Sequence, residues 1–358
     1  MSAALVVGKF YPPHRGHTHL VRRALELRPH VVVLCLGSAR DSFSAAVRGT
    51  ALLEDLEAEG VERDSVTLST GYDETPFDLA DPAVWRSHVT IFRAHLRAVP
   101  DVDVLVSSEP YGDELARRLG IDHRLLDVDR VAVPKSASDI RRDVVGCWDM
   151  LGPGGRRMMV ARVVVMGAES TGTTAVARSL AARLRKRDGA WGKTLWVPEY
   201  GHELTEAKQI AAEALTGCRP LSVTWDPEDF RDVVAVQTAR EEAAAAAGGP
   251  VLVCDTDAFA TPVWERRYLG DAAALDASAL GRGDVYLLTD HDGVPFVQDG
   301  TRDGEHVRAA MTAAFTASLV EHGKPWVMLT GTLAERLALA ERVVDDVCRR
   351  RFQLAPPI

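Results

Sequence analysis

The sequence has no apolar stretch of about 18 residues and no secretory hydrophobic region, so we expect neither a membrane span nor export. It also lacks an excess of positive charge, since 42 lysines and arginines face 51 aspartates and glutamates, for a formal net charge of −9. Non-specific nucleic-acid binding requires a basic footprint, and we therefore expect no nucleic-acid partner. The five cysteines have neither paired nor metal-ligand spacing, which is typical of reduced thiols in a cytoplasmic protein.

The length and pattern of the chain predict two domains of the α/β class. Its 358 residues exceed one ordinary core, and a glycine- and proline-rich segment, Leu151–Arg157, interrupts the pattern. On both sides of this segment short apolar runs alternate with helical stretches, such as Trp85–Ala98 and Pro227–Ala247. Such alternation favours parallel sheets with helices on both faces. We predict two doubly wound parallel-sheet domains, residues 1–153 and 158–358.

The first of two phosphate signals in the N-terminal half follows an apolar strand, Leu5–Val7. The next segment, Gly8–His17, carries a lysine and two histidines and leads into a helix. Gly16 permits a tight turn, and one helical turn would put His14 and His17 on the same side. Helix N-termini expose unpaired N–H groups and partial positive charge, so anions collect there. The segment is therefore a candidate site for a nucleoside triphosphate.

The second signal is a serine-containing helix start about 120 residues further on, at Val133–Arg141. Ser136 and Ser138 can cap a helix while their hydroxyl and backbone N–H groups face a phosphate. Arg141, one turn on, can reach the same oxygens with its fork of donors. Alone this segment is a common helix start, but after the histidine loop it indicates a second part of one phosphate site.

A P-loop pattern opens the C-terminal half. The segment Gly167–Thr174 follows an apolar run and precedes a helical stretch, and it has the length and glycines of a P-loop. Thr173 stands where such loops carry a lysine that reaches the β- and γ-phosphates. Backbone N–H groups would still cradle phosphates, and Thr174 would still ligate Mg²⁺, so we expect nucleotide binding. Candidates for the missing positive charge are Lys193, Arg178 and Arg302.

Two carboxylates lie at the ends of predicted strands in the same half. Asp255 follows the apolar run Val251–Cys254, and Glu199 follows Thr194–Val197. Ligands of parallel sheets bind at this edge, where a carboxylate can serve a metal or an acceptor hydroxyl. One of the two would act as base and the other as metal support, and the sequence does not decide which.

These motifs resemble one family across nearly the whole chain, the NadR-type bifunctional nicotinamide-nucleotide adenylyltransferases and ribosylnicotinamide kinases. The resemblance rests on the His-x-Gly-His loop, the Ser-x-Ser-x-x-Arg segment and the P-loop, together with Val106–Leu115 and Pro295–Arg302. It implies a Rossmann-like nucleotidyltransferase followed by a P-loop kinase. Some members carry an N-terminal DNA-binding segment, whereas here the first strand starts within five residues of Met1, so we expect no DNA-binding regulator.

The resemblance implies two reactions of NAD salvage. The first domain would transfer an adenylyl group from ATP to nicotinamide mononucleotide (NMN), and the second would phosphorylate nicotinamide riboside (NR) to NMN, with Mg²⁺ as cofactor. The net charge leaves oligomer formation open. The residues implied as catalytic are Lys9, His14, His17, Arg141, Glu199 and Asp255. Those implied to bind ATP or its phosphates are Gly8, Phe10, Gly16, Ser136, Ser138, Gly167, Ser170, Gly172, Thr173, Thr174 and Arg302, with Thr174 and Asp255 also as metal ligands.

Four residues are candidate contacts to the NMN substrate. Trp85 would stack on the cationic nicotinamide ring, and Glu109 lies in a polar loop after a predicted strand. Arg40 and Arg48 follow the second strand and could reach the NMN phosphate.

Two alternatives stay open. The family usually has lysine at the position of Thr173 and arginine at the position of His202, so the second domain could bind nucleotide without kinase activity. The first domain could instead adenylylate another phosphorylated acceptor, such as nicotinate mononucleotide or a pantetheine phosphate.

Overall fold

The computed structural model describes residues 2–76, 78, 80–126, 133–220, 222–297 and 304–357. The chain divides into two compact units, one of Met1–Met159 together with Phe352–Ile358 and one of Val160–Arg351. The division follows directly after the glycine- and proline-rich segment. The residues from Phe352 onward lie with the first unit, whereas the sequence pattern assigned them to the second.

A ring contact and a hydrogen bond are among the contacts that attach the described part of the C-terminal segment to the first unit. The ring of Phe352 lies 6.4 Å from the ring of Trp148, and the Ala355 N–H donates to Ser42 Oγ at 2.9 Å. The residues in these contacts are far apart in sequence and form no local pattern. The sequence therefore did not predict that the C-terminal segment packs on the first unit.

Among the described residues, the first unit forms a five-stranded parallel sheet with helices on both faces. The strands are β1 (Ala3–Gly8), β2 (Val31–Gly37), β3 (Val66–Tyr72), β4 (Val102–Ser107) and β5 (Asp122–Leu125), in the spatial order β3-β2-β1-β4-β5. The helices are α1 (Arg15–Leu27), α2 (Ala45–Ala58), α3 (Pro82–Leu96), α4 (Tyr111–Leu119), α5 (Ala137–Arg142) and α6 (Pro153–Met159). The chain turns from one side of β1 to the other when it reaches β4. The loops after β1 and β4 therefore diverge and open a crevice at the carboxyl edge of the sheet.

The core of this unit has two layers because β1 and β2 are buried on both faces. One layer packs Val21 of α1 and Leu52 of α2 against the sheet, and the other packs Val89 and Phe92 of α3. Continuous valine and leucine runs are what a doubly covered parallel strand requires.

The described part of the second unit repeats this architecture. Its parallel strands are β6 (Ala161–Gly167), β7 (Leu195–Val197), β8 (Val251–Asp255), β9 (Val285–Thr289) and β10 (Trp326–Leu329), in the order β10-β9-β6-β8-β7. Its helices are α7 (Thr173–Leu184), α8 (Tyr200–Thr216), α9 (Pro227–Ala247), α10 (Thr261–Leu269), α11 (Arg308–Glu321) and α12 (Leu333–Phe352). The predicted α/β class with two parallel sheets is confirmed. No helix in the described ranges is both long and apolar enough to span a bilayer.

Candidate active sites

The two histidines of the first loop cap helix α1. The Gly16 N–H donates to His14 Nδ1 at 3.0 Å, and the His14 N–H donates to His17 Nδ1 at 3.2 Å. A Cβ on Gly16 would lie 2.7 Å from Cε1 of His14. Glycine is therefore required at this position for the His14 ring to lie against the backbone of Gly16. Because each Nδ1 accepts a backbone proton, each neutral imidazole carries its own proton on Nε2 and can donate from that nitrogen.

Helix α5 places the second motif beside the first. Arg141 donates from Nη1 to the carbonyl of Tyr11 at 2.5 Å and from Nη2 to Ser138 Oγ at 2.8 Å. Ser136 caps α5, and its N–H and hydroxyl both donate to Asp139 Oδ2, at 2.9 and 2.7 Å. These two bonds leave Ser136 without a donor for phosphate, contrary to the sequence-based expectation. Arg141 instead links the two motifs directly.

A cleft of about 570 Å³ opens at the carboxyl ends of β1 and β4. Its lining includes the predicted residues Gly8, Lys9, Phe10, His17, Trp85, Glu109, Ser138 and Arg141. His14, Gly16 and Ser136 line a neighbouring cavity of about 210 Å³, which also contains His17, Ser138 and Glu109. The structure therefore brings together two motifs that are far apart in sequence.

The cations of this cleft are partly desolvated. Burial lowers the pKa of Lys9, although the carboxylates of Asp41 and Asp73 oppose this shift, and burial also lowers the pKa of Arg141. Desolvation destabilises the charged form of each group. A bound anion would add negative charge beside both groups and stabilise their charged forms, so the cleft favours an anionic ligand.

The two arginines predicted to contact substrate phosphate, Arg40 and the α2 residue Arg48, do not line this cleft in the described structure. Arg48 is fully buried, with Nη2 2.9 Å from Asp41 Oδ2 and Nη1 2.5 Å from the carbonyl of Lys9. The prediction for Arg48 is wrong, because its guanidinium braces the loop that carries Lys9. Arg40 is exposed at the surface beyond the cleft lining.

Sequence reasoning missed a buried hydrogen-bonded pair in the cleft, Asp73 and His88. Asp73 Oδ2 lies 2.5 Å from His88 Nδ1, and His88 Nε2 is buried without a hydrogen-bond partner in the described ranges. His88 lies three residues after Trp85 on α3, so helical spacing could have placed both in the cleft. Pro357 of the C-terminal segment also lines the cleft, and no sequence signal marked it.

In the second unit the P-loop connects β6 to α7. Gly172 has a φ of +87°, the left-handed conformation that favours glycine, and α7 begins at Thr173. The hydroxyl of the buried Thr171 donates to the carbonyl of Ala168 at 2.7 Å, which holds the loop closed on itself. The arrangement presents the N-terminus of α7 as an anion site in the predicted strand–loop–helix setting.

Asp255 ends β8 next to the P-loop threonines. Its side chain is buried, which raises its pKa to about 6, although Thr174, His202 and Thr173 act in the opposite direction. Oδ1 of Asp255 has no hydrogen-bond partner among the described residues. A buried carboxylate oxygen without a partner is costly, so this atom is suited to a ligand or cation.

A second cleft, of about 160 Å³, lies in front of the P-loop. The predicted residues Gly167, Ser170, Thr173, Thr174 and Glu199 line it, together with His202. Its far wall is aromatic, since the ring of Trp225 stacks on those of Phe230 and Tyr268 at 5.1 and 5.6 Å. The sequence analysis missed this wall because its aromatic residues come from three separate segments of the chain and share no pattern.

The residues predicted to supply the charge of the missing P-loop lysine either lie away from the second cleft or fall outside the residues that the structure describes. The guanidinium of Arg178 lies 5.5 Å from the ring centre of Trp196, and neither Arg178 nor Lys193 lines the second cleft as described. Arg302 falls outside the described residues.

Comparison with known proteins shows chains of similar fold and sequence. A crystal structure of NadR protein in complex with NR has the same fold, with a TM-score of 0.67 and 20% identity over 97% of this chain and 96% of that chain. The trifunctional NAD biosynthesis/regulator protein NadR of Escherichia coli (strain K12) is 22% identical over 312 residues, 83% of this chain and 71% of that protein. The chain is NadR-like.

Two further matches cover shorter parts of this NadR-like chain. A nicotinamide-nucleotide adenylyltransferase of Aeropyrum pernix is 46% identical over 44 residues, which are 12% of this chain and 25% of that protein. A family model described as an AAA domain matches residues 162–336, which contain the P-loop. The predicted resemblance is confirmed.

Proposed function

We propose that this NadR-like chain catalyses two steps of NAD salvage, adenylyl transfer from ATP to NMN in the first unit and phosphorylation of NR by ATP in the second. The convergence of Lys9, His17 and Arg141 on one cleft beside Trp85 carries the first assignment. The P-loop that faces Glu199 and an aromatic wall supports the second.

The first reaction requires positioning and charge stabilisation. The NMN phosphate is ionised near pH 7 and can attack the α-phosphorus of ATP without a general base. The chain must bring two anions together and stabilise the charge that develops on the α-phosphate and the departing pyrophosphate. His14 and His17 donate from Nε2 to the triphosphate, while Lys9 and Arg141 neutralise the developing charge. Trp85 stacks on the nicotinamide ring.

The second reaction divides two roles between the carboxylates. Glu199 lines the cleft and is the base for the 5′-hydroxyl of NR, because it can reach a ligand held between the P-loop and the aromatic wall. Asp255 lies beside Thr174 and supports the metal. Trp225 and Tyr268 hold the nicotinamide ring, which is a cation that aromatic faces attract.

The residues around the P-loop fit Mg²⁺. The unpartnered Oδ1 of Asp255 and the hydroxyl of Thr174 are the hard oxygen donors that this ion prefers. The described residues contain no group of three or more His, Cys, Asp or Glu side chains that could hold a metal, so phosphate and water oxygens would complete the shell. Bound Mg²⁺ would neutralise charge on the transferring phosphoryl group. The five free cysteines support a reducing, cytoplasmic location.

A pair of variants tests the second assignment. Glu199→Gln should lower kcat for NR phosphorylation by about 10²- to 10⁴-fold without changing the Mg²⁺ concentration required. Asp255→Asn should raise the Mg²⁺ concentration that gives half-maximal rate. Adenylyl transfer by the same preparation is the folding control, and interchanged results would reverse the two roles.

Thr173 favours a second candidate, an NMN adenylyltransferase whose second unit binds nucleotide without transferring phosphate. This candidate predicts ATP binding at the P-loop and no NMN from NR. Separate assays with NR and NMN distinguish it from the bifunctional enzyme.

A further inference from the structure

Two buried arginines lie directly behind the P-loop. Arg336, 4% exposed, donates from Nη1 to the carbonyl of Thr171 at 2.7 Å. Arg308, 8% exposed, donates from Nη2 to the carbonyl of Ser170 at 3.2 Å. In a trans peptide the N–H points away from the carbonyl. Arg336 therefore contacts the loop from the side opposite the Gly172 N–H, whereas the N–H of the peptide that Arg308 contacts belongs to Thr171 and donates to the Ala168 carbonyl at 3.4 Å.

Backbone carbonyls satisfy these guanidinium groups. Arg336 also donates to the carbonyls of Gly331 at 3.0 Å and Asp290 at 3.1 Å, and Arg308 donates to that of Val294 at 2.9 Å. Nε of Arg308 is buried without a hydrogen-bond partner in the described part of the chain. Burial lowers the pKa of Arg336, and the carboxylate of Asp290, which lies 3.3 Å from His291 Nδ1, acts in the opposite direction. Both arginines thus place positive charge at the loop, because neutral backbone carbonyls rather than a carboxylate hold their guanidinium groups.

Two other arginines in this region have their charge engaged elsewhere. Arg267 forms an ion pair with Glu169 of the loop itself, at 2.6 Å, so the two charges largely cancel. Arg178 lies on an exposed part of α7, over the ring of Trp196.

We propose that Arg308 and Arg336 supply, from behind the loop, the positive charge that Thr173 does not provide. This inference rests on the proposed phosphoryl transfer in the second unit. A guanidinium that binds a peptide carbonyl polarises that peptide, so Arg336 strengthens the Gly172 N–H as a donor to phosphate, whereas Arg308 acts on the loop through its charge. The full charge of each guanidinium acts across the loop in a site of low dielectric. Both are positioning residues, because they touch the loop and not the substrate.

The decisive experiment is charge removal followed by rescue. Arg336→Gln removes the charge, Arg336→Lys retains it, and Thr173→Lys adds a lysine at the usual P-loop position. Arg336→Gln should lower kcat/KM for NR phosphorylation about 10- to 100-fold. Arg336→Lys should retain most of the activity, and the double variant with Thr173→Lys should recover most of the loss. Arg178→Gln, which removes a charge from exposed α7, should have no effect.

A purely structural role for Arg336 would not be rescued by a lysine on the opposite side of the loop. Unchanged phosphorylation in Arg336→Gln would therefore overturn the proposal. So would a loss that Thr173→Lys fails to repair while adenylyl transfer by the same preparation stays at wild-type rate. If Arg336→Gln does not fold, Arg308→Gln is compared in the same way, with and without Thr173→Lys.

Nucleotide binding separates this proposal from the kinase assignment. If the wild-type chain phosphorylates no NR, ADP is titrated with Mg²⁺ by calorimetry in a His17→Ala background, in which the first site is impaired. Charge supply by Arg336 then predicts at least about 10-fold weaker ADP binding in Arg336→Gln and recovery with Thr173→Lys. Equal ADP affinity in all three proteins would overturn it.

Discussion

Replacing His17 with alanine separates two roles of one imidazole. Nδ1 accepts the N–H of His14 at 3.2 Å and so caps α1, while the ring lines the cleft and can donate from Nε2. Loss of a helix cap costs about 1 kcal/mol of stability. Loss of one preorganised donor to developing charge costs about 10²- to 10³-fold in rate. The effect on catalysis should therefore far exceed the effect on stability.

The assay measures NAD⁺ formed from NMN and ATP, together with the melting temperature and NR phosphorylation by the same preparation. We expect NAD⁺ synthesis to fall about 10²- to 10³-fold while NR phosphorylation stays at its wild-type rate. Melting of the first unit should drop by about 2–4 °C. His17→Asn is the matched control, since its carboxamide can accept the His14 N–H and still donate, and it should recover the melting temperature and part of the rate.

Wild-type NAD⁺ synthesis in His17→Ala would refute the role given to this imidazole. A parallel loss of both activities would also refute it, because that result would assign His17 to folding alone.

Three further predictions concern stability and the second site. Burial raises the pKa of Asp55 to about 7, above its ordinary value of 3.8, so the folded chain binds more protons than the unfolded chain between these values. Stability should therefore fall as pH rises from about 4 to 7, by at most about 4 kcal/mol, and denaturation of Asp55→Asn should lack this slope. Arg48→Met should cost about 3–5 kcal/mol in chemical denaturation because it removes the guanidinium that pairs with the buried carboxylate of Asp41, and an unchanged midpoint would contradict the bracing role. Trp225→Ala should raise KM for NR about 10-fold with KM for NMN unchanged, and equal KM values for NR would exclude a ring contact.

The elements of the fold with strong local signals were predictable. Helix α9 has the predicted bounds, Pro227–Ala247, because Asp226 caps it, proline begins it and alanine favours helix throughout. Helix α3 begins earlier than the predicted Trp85, at Pro82, because Asp81 caps it. The apolar runs likewise marked the described parallel strands other than β5, whose sequence is polar and gave no signal.

The parts of the sites that depend on tertiary contacts were not predictable. Arg48 reads as a solvated loop arginine, and only the folded chain reveals that it is buried against Asp41. The N–H and hydroxyl of Ser136 both donate to Asp139, three residues later, and so cap the helix. In the sequence alone, a serine at a helix start fits a phosphate contact equally well. The aromatic wall around Trp225 comes from separate elements that have no shared periodicity.

The most direct test of the central claim uses the purified chain with ATP and Mg²⁺, given NMN or NR in separate reactions, with products identified by mass. The account predicts NAD⁺ from both substrates, since NR would be phosphorylated to NMN and then adenylylated. NAD⁺ from NMN alone would contradict the kinase assignment despite the P-loop geometry. No NAD⁺ from either substrate would contradict the central claim.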